Sequence, residues 1–184
     1  MSEFTKTWIT CDGGPLIVME NRLLPMWEGS DAPSKGRIVE AESRWGLDVA
    51  TDYDRACDIN DWAGVIQVGD GSGLVISIET HATTWLPALD DNGGTLIEWG
   101  FAESEMDVLK EVETWVGSDD ISGGNFEVKS NPLVLFAAAE NGLEPLYERL
   151  EFDLRRGKYS VLSQELRSGN TYVICHRLKL EKEI

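Results

Sequence analysis

Histidine is almost missing from this 184-residue chain. His81 and His176 are the only two, and the cysteines Cys11, Cys57 and Cys175 lie far apart with no CxxC pairing. A structural zinc site needs Cys or His ligands at short spacings, so none is expected. An EF-hand loop requires Gly at its sixth position and Glu at its twelfth. Counted from Asp52 those positions hold Cys57 and Ala63; counted from Asp58 they hold Ala63 and Gly69. The GxxxxGK[ST] phosphate cradle is absent. The glycine-rich stretch 69–73 is followed by the strand-like GLVISI rather than by a helix that could hold an anion, so it reads as a hairpin turn. Nucleophilic catalysis needs a base beside the nucleophile, and neither histidine stands in a recognisable motif. No metal, cofactor or catalytic residue is therefore assigned.

Long apolar runs are lacking too. No stretch approaches the roughly 18 residues of a membrane span. The opening MSEFTKTWIT has neither the basic start nor the apolar run of a secretory signal. Unpaired cysteines in such a chain suggest reduced, mostly buried thiols and a cytoplasmic location.

Acid is what the chain has in excess. It carries 33 acidic against 16 basic residues, a formal net charge of −17. Such a field disfavours nucleic acid and anionic membranes as partners and favours basic ones. The charge is uneven: Tyr147–Ile184 holds eight bases and six acids, which leaves 27 acids and eight bases upstream.

Strand signals dominate the pattern. PLIVME (15–20), GVIQV (64–68), GLVISI (73–78), GTLIEWGF (94–101) and NPLVLFA (131–137) are short apolar runs bounded by turn residues. Alternation over 149–180, ending on a strand face of Tyr172, Ile174, His176, Leu178 and Leu180, predicts a three-stranded antiparallel meander. His176 on that apolar face reads as a satisfied core or rim histidine. Two helices are expected. A long amphipathic one over 103–117 starts at a Ser104/Asp107 capping pattern, with Met106, Leu109, Val112 and either Trp115 or Val116 as its core stripe. A short one covers 52–60. Residues 29–45 read as a polar loop. The predicted fold is α+β, mainly antiparallel sheet, in one domain over 1–184. An echo between GGPLIVM (13–19) and SNPLVLF (130–136) raises the alternative of two similar β subdomains, 1–102 and 103–184.

Two acidic rows are candidate docking surfaces for a basic partner. Glu103, Asp107 and Glu111 recur at four-residue intervals, opposite the core stripe of the long helix. Asp58 and Asp61 share one face of the short helix with Asp54, at i, i+4 and i+7. The seven tryptophans are expected mostly in the core or at its edge, with one or two free to anchor a partner.

Several stretches together resemble the bacterial immunity proteins of polymorphic toxin systems, the family called immunity protein 21. They are WITCDGGPL (Trp8–Leu16), the LLP-x-W segment (Leu23–Trp27), DYDRAC (Asp52–Cys57), VGDGSGLV, TTWLP (Thr83–Pro87), the Gly-Gly-led strand ending at Trp99 and Phe101, and NPLVLF. The resemblance implies a non-enzymatic protein that binds and neutralises a cognate toxin. It also implies that motifs shared across the family hold the fold, because members face different toxins. Asp52, Tyr53, Asp54, Arg55 and Cys57, with Trp85 and Pro87 of TTWLP, are accordingly assigned to scaffold. A nuclease toxin, whose phosphate-binding cleft is basic, fits an acidic inhibitor. The competing class is a small-molecule-binding or hydrolytic enzyme, marked by a deep pocket with convergent polar groups.

Overall fold

The structure is a computed structural model that describes residues 6–11, 13–31, 50–76, 81–115 and 121–184. Ten strands form two five-stranded antiparallel sheets. In the first, the order is β2 (Ala63–Val68), β3 (Gly71–Ile76), β1 (Leu16–Glu20), β7 (Leu133–Ala137), β8 (Arg149–Phe152). In the second it is β4 (Ala82–Pro87), β5 (Gly93–Phe101), β10 (Thr171–Glu183), β9 (Gly157–Ser168), β6 (Ile121–Val128).

Three apolar clusters stack these elements into four layers. Leu16, Val18, Leu74 and Leu135 of the first sheet meet Leu96, Phe126, Tyr159, Val161 and Leu178 of the second. Ile17, Met19, Val75 and Phe136 point to the other side of the first sheet. There they pack under a 3-10 segment (Asn21–Met26), Trp27 and the short helix α1 (Asp52–Cys57). Ile97, Val173 and Cys175 lie on the outer face of the second sheet beneath helix α2 (Glu105–Glu113) and Trp115. A strand covered on both faces has no polar side to show. That is why β1 reads LIVME with all five residues buried.

The expectation of one long amphipathic helix is overturned. The described residues are mostly antiparallel strand with three short helical segments, and α2 has nine residues. Ser104 caps it as expected, accepting from the Asp107 amide at 3.3 Å. Its other end comes early: Thr114 caps it, and the Thr114 hydroxyl donates back to the Glu111 carbonyl at 2.7 Å. The buried stripe is also rotated. Val108, Glu111, Val112 and Trp115 face the sheet, whereas Met106 is 60% exposed. Of the expected stripe, Val112 and Trp115 are buried and Leu109 packs against the same cluster, while Met106 lies roughly 120° round the helix from Val112. Trp115, the larger apolar surface, sets the register.

Three further differences have local causes. The predicted meander is divided between sheets: β8 pairs with β7, and only β9 and β10 form a hairpin. The Asn131 side chain holds the crossing, donating to the Leu154 carbonyl at 2.7 Å and accepting from its amide at 3.1 Å. The two Pro-Leu strands are not equivalents in two subdomains but antiparallel neighbours, Leu16 opposite Ala137 through Glu20 opposite Leu133. Both sheets draw strands from either side of residue 102. Strands β4 and β6 were not anticipated; β6 carries two glycines and buries little beyond Phe126 and Val128. Most of the polar loop expected at 29–45, and helix positions 116 and 117, lie outside the described residues.

Burial has a consequence at alkaline pH. Desolvation under α2 pushes the Cys175 thiol from its ordinary value of 9.0 up to about 12, and burial likewise raises Tyr159. Above pH 9 the unfolded chain releases the Cys175 proton while the folded chain retains it. The stabilisation is full below pH 9 and is lost as pH rises towards 12, at about 1.4 kcal/mol per unit from this group. Urea unfolding between pH 8 and 11 should show that decline, and Cys175→Ala should flatten it.

Candidate functional site

Among the described residues six carboxylates are buried: Glu20, Glu28, Asp52, Asp54, Glu98 and Glu111. An anion out of water is costly unless it is hydrogen-bonded or paired, and the partners of Asp52, Asp54, Glu20 and Glu98 show how the fold meets that demand.

DYDRAC is the densest case. Thr51 accepts from the Asp54 amide through its hydroxyl oxygen at 3.0 Å, while the Asp54 carboxylate accepts from the Thr51 amide at 2.8 Å and its hydroxyl at 2.9 Å. This reciprocal box starts α1. Asp52 accepts from the Glu28 amide at 2.9 Å and from Arg55 at 2.8 Å, and Arg55 also donates to the Gln67 carbonyl of β2. The Tyr53 amide donates to Gly29, and its ring lies against Gly14, where φ is +93° and a Cβ would meet the hydroxyl at 2.3 Å. The motif thus joins the chain at 28–29, the Gly-Gly turn and an edge strand. Cys57 is half-buried. In TTWLP, Trp85 stacks on Phe152 with ring centroids 4.3 Å apart, tying β4 to β8 across the sheets, and Pro87 ends the strand exposed.

Glu20 closes another junction, accepting from the Lys129 amide at 2.5 Å, the Ser130 hydroxyl at 2.9 Å and Arg22 at 2.5 Å. Glu98, His176 and Ser163 form a chain inside the second sheet. His176 stands opposite Ser163 on β9, and Glu98 comes from β5. His176 Nδ1 lies 2.8 Å from Ser163 Oγ and its Nε2 lies 2.5 Å from Glu98 Oε1; His81 Nδ1 approaches Glu98 Oε2 at 3.6 Å. A proton on Nε2 donates to the carboxylate and leaves Nδ1 to accept from the serine. The order of groups is that of a hydrolytic triad, but Ser163, His176 and Glu98 are all fully buried, so no substrate reaches the serine in this conformation. His176 is a satisfied core histidine.

The sequence-predicted docking residues separate. Glu103 is exposed, and Asp107 is half-buried, accepting from the Ser104 hydroxyl at 2.6 Å. Glu111 is 8% exposed on the sheet-facing side of α2, so the three do not form one solvent-facing row. Asp58 and Asp61 are exposed beyond α1, over the opposite side of the sandwich. None of the described tryptophans is exposed. The most exposed aromatic among the described residues is Tyr147, which sequence patterning does not single out because it stands between strands. An open groove of about 580 Å³ runs between α2 and the β4–β5 turn. Its Arg177 guanidinium stacks on Trp115 at 3.9 Å. Among the described residues no group of three or more His, Cys, Asp or Glu is placed to hold a metal ion, and no helix is long and apolar enough to cross a membrane.

Inward-turned polar clusters with acid left at the surface suit a protein that acts through its surface, and the chain is an immunity protein directed against a toxin. It belongs to the Immunity protein 21 family, whose model matches residues 7–171. Searches of the curated proteins and of the solved structures find no match.

The buried chain can be tested by itself. His176→Ala leaves the Glu98 carboxylate in the core without its closest partner, and breaking such a buried pair costs about 3–5 kcal/mol. Ser163→Ala removes a neutral bond worth about 1 kcal/mol. Urea denaturation of the two variants should give losses in that order.

Proposed function

We propose that this immunity protein neutralises its toxin by covering the active cleft with an acidic surface, and that the toxin is a nuclease. The observation that carries this reading is the net charge of −17 on a family member. A nuclease holds phosphate in a basic cleft, and an acidic protein can occupy that cleft in place of the substrate. Long-range attraction then speeds the encounter. The neutralisation is steric and electrostatic, with no chemistry performed on the toxin. Glu103 with Asp107 and Asp58 with Asp61 are the two acidic edges available from the sequence. They lie over opposite sides of the sandwich, so one flat contact uses one of them.

Co-expression with the polypeptide encoded beside this chain should yield a monodisperse 1:1 complex lacking nuclease activity. Stopped-flow association should slow by about tenfold or more from low to high salt, as steering is screened. A complex whose association is insensitive to salt would remove the electrostatic part of the proposal. Absence of a complex would remove all of it.

A further inference from the structure

Residues 139–148, between β7 and β8, form a connection fixed to its neighbours from several directions. The Ser30 amide and hydroxyl donate to the Ala139 carbonyl at 3.0 and 3.1 Å, and the Gly142 amide donates to Trp27 at 2.9 Å. Within the connection, the Leu143 amide donates to the Asn141 side chain at 2.9 Å and the Tyr147 amide to Glu140 at 2.6 Å. Leu146 packs on the cluster beneath. The approach is close: Gly29 has φ +58°, and a Cβ there would meet the Ala139 and Glu140 carbonyls at 2.4 Å.

A connection held so firmly nevertheless presents apolar side chains to water. Tyr147 is 91% exposed and Leu143 56%, and Met26, one residue before the Trp27 that receives Gly142, is 40% exposed. Tyr147 and Leu143 stand four residues apart on one ordered connection, and large exposed apolar groups are candidate contact points. An aromatic on a backbone that is already ordered loses little entropy when a partner covers it.

Within the connection itself the charge has one sign. Residues 139–148 contain Glu140, Glu144 and Glu148 and no base. The Asn141 side-chain amide donates to the exposed Asp31 at 3.3 Å and so holds a further acid beside them. Arg149, the next residue, turns to Glu151 at 3.1 Å. Two further exposed apolar groups, Phe101 and Met106, stand in mixed charge, on the side that also carries Lys110 on α2 and Arg177 and Lys179 on β10. Complementarity to a basic protein therefore favours the first surface over the second.

We infer that the 139–148 connection, with Tyr147 and Leu143 as apolar anchors and Met26 at its edge, is the surface that docks the basic toxin. This rests on the function proposed above and selects the side of the sandwich that also carries Asp58 and Asp61. The acids steer the encounter, and Tyr147 sets how long the complex lasts.

The test uses the full-length chain and the polypeptide encoded beside it, in surface-binding kinetics. Tyr147→Ala should weaken binding by about 30-fold or more, mainly through faster dissociation. Glu144→Lys should slow association several-fold at low salt. Glu103→Lys, on the opposite side, should bind as the parent does. All three positions are exposed, so melting temperatures should match the parent. If the parent binds and both connection variants bind equally well, the docking surface is elsewhere, and the immunity reading stands without this inference. If the parent forms no complex, both fall. A parent that sediments as a dimer and becomes monomeric with Tyr147→Ala would assign the patch to a second copy of the chain and overturn the inference.

Discussion

A carboxylate cannot be taken out of water without partners, and among the described residues this fold takes six of them out. That constraint fixes where the non-repetitive parts of the chain go. Asp52 and Asp54 start α1 and fasten it to the backbone at Glu28 and, through Arg55, to β2. Glu20 fastens the β6–β7 turn to the end of β1. Glu98 links β5 to β10 through His176, and Ser163 extends the link to β9. Apolar burial stacks the layers, but it is non-directional. The carboxylates supply the directional contacts that say which loop meets which strand.

The acid excess therefore has two parts. One is consumed internally and contributes nothing to an approaching partner. The other faces solvent, on both sides of the sandwich, and on one side it surrounds apolar groups held on an ordered connection. Counting acids along the chain cannot separate the two. Glu111 and Glu103 occupy equivalent places in a four-residue repeat, yet one lies against the sheet and the other in water.

Elements whose signal is local were legible in the sequence. Strands β1, β2, β3, β5 and β7 appeared as bounded apolar runs, and the Ser104 and DYDRAC helix starts were visible, because each depends on residues within a few positions. Pairing was not legible. Alternation in β8 is the same whether it joins β7 or β9, and a side-chain clamp from Asn131, distant in sequence, directs it to the first sheet. The rotation of α2 was hidden for a related reason, since two stripes share Val112 and the sheet beneath decides between them. Tyr147 gave no signal at all, because exposure on an irregular connection has no periodicity to betray it.

The central claim is that the acids marking the family hold the fold while binding is left to exposed groups, and Asp54→Ala tests it most directly. With stability and toxin affinity measured on the same preparation, the account predicts a loss of about 2 kcal/mol in unfolding free energy, from the helix start and the amide and hydroxyl left without an acceptor. It predicts unchanged affinity at a temperature where the variant is folded. Unchanged stability with lost binding would contradict it.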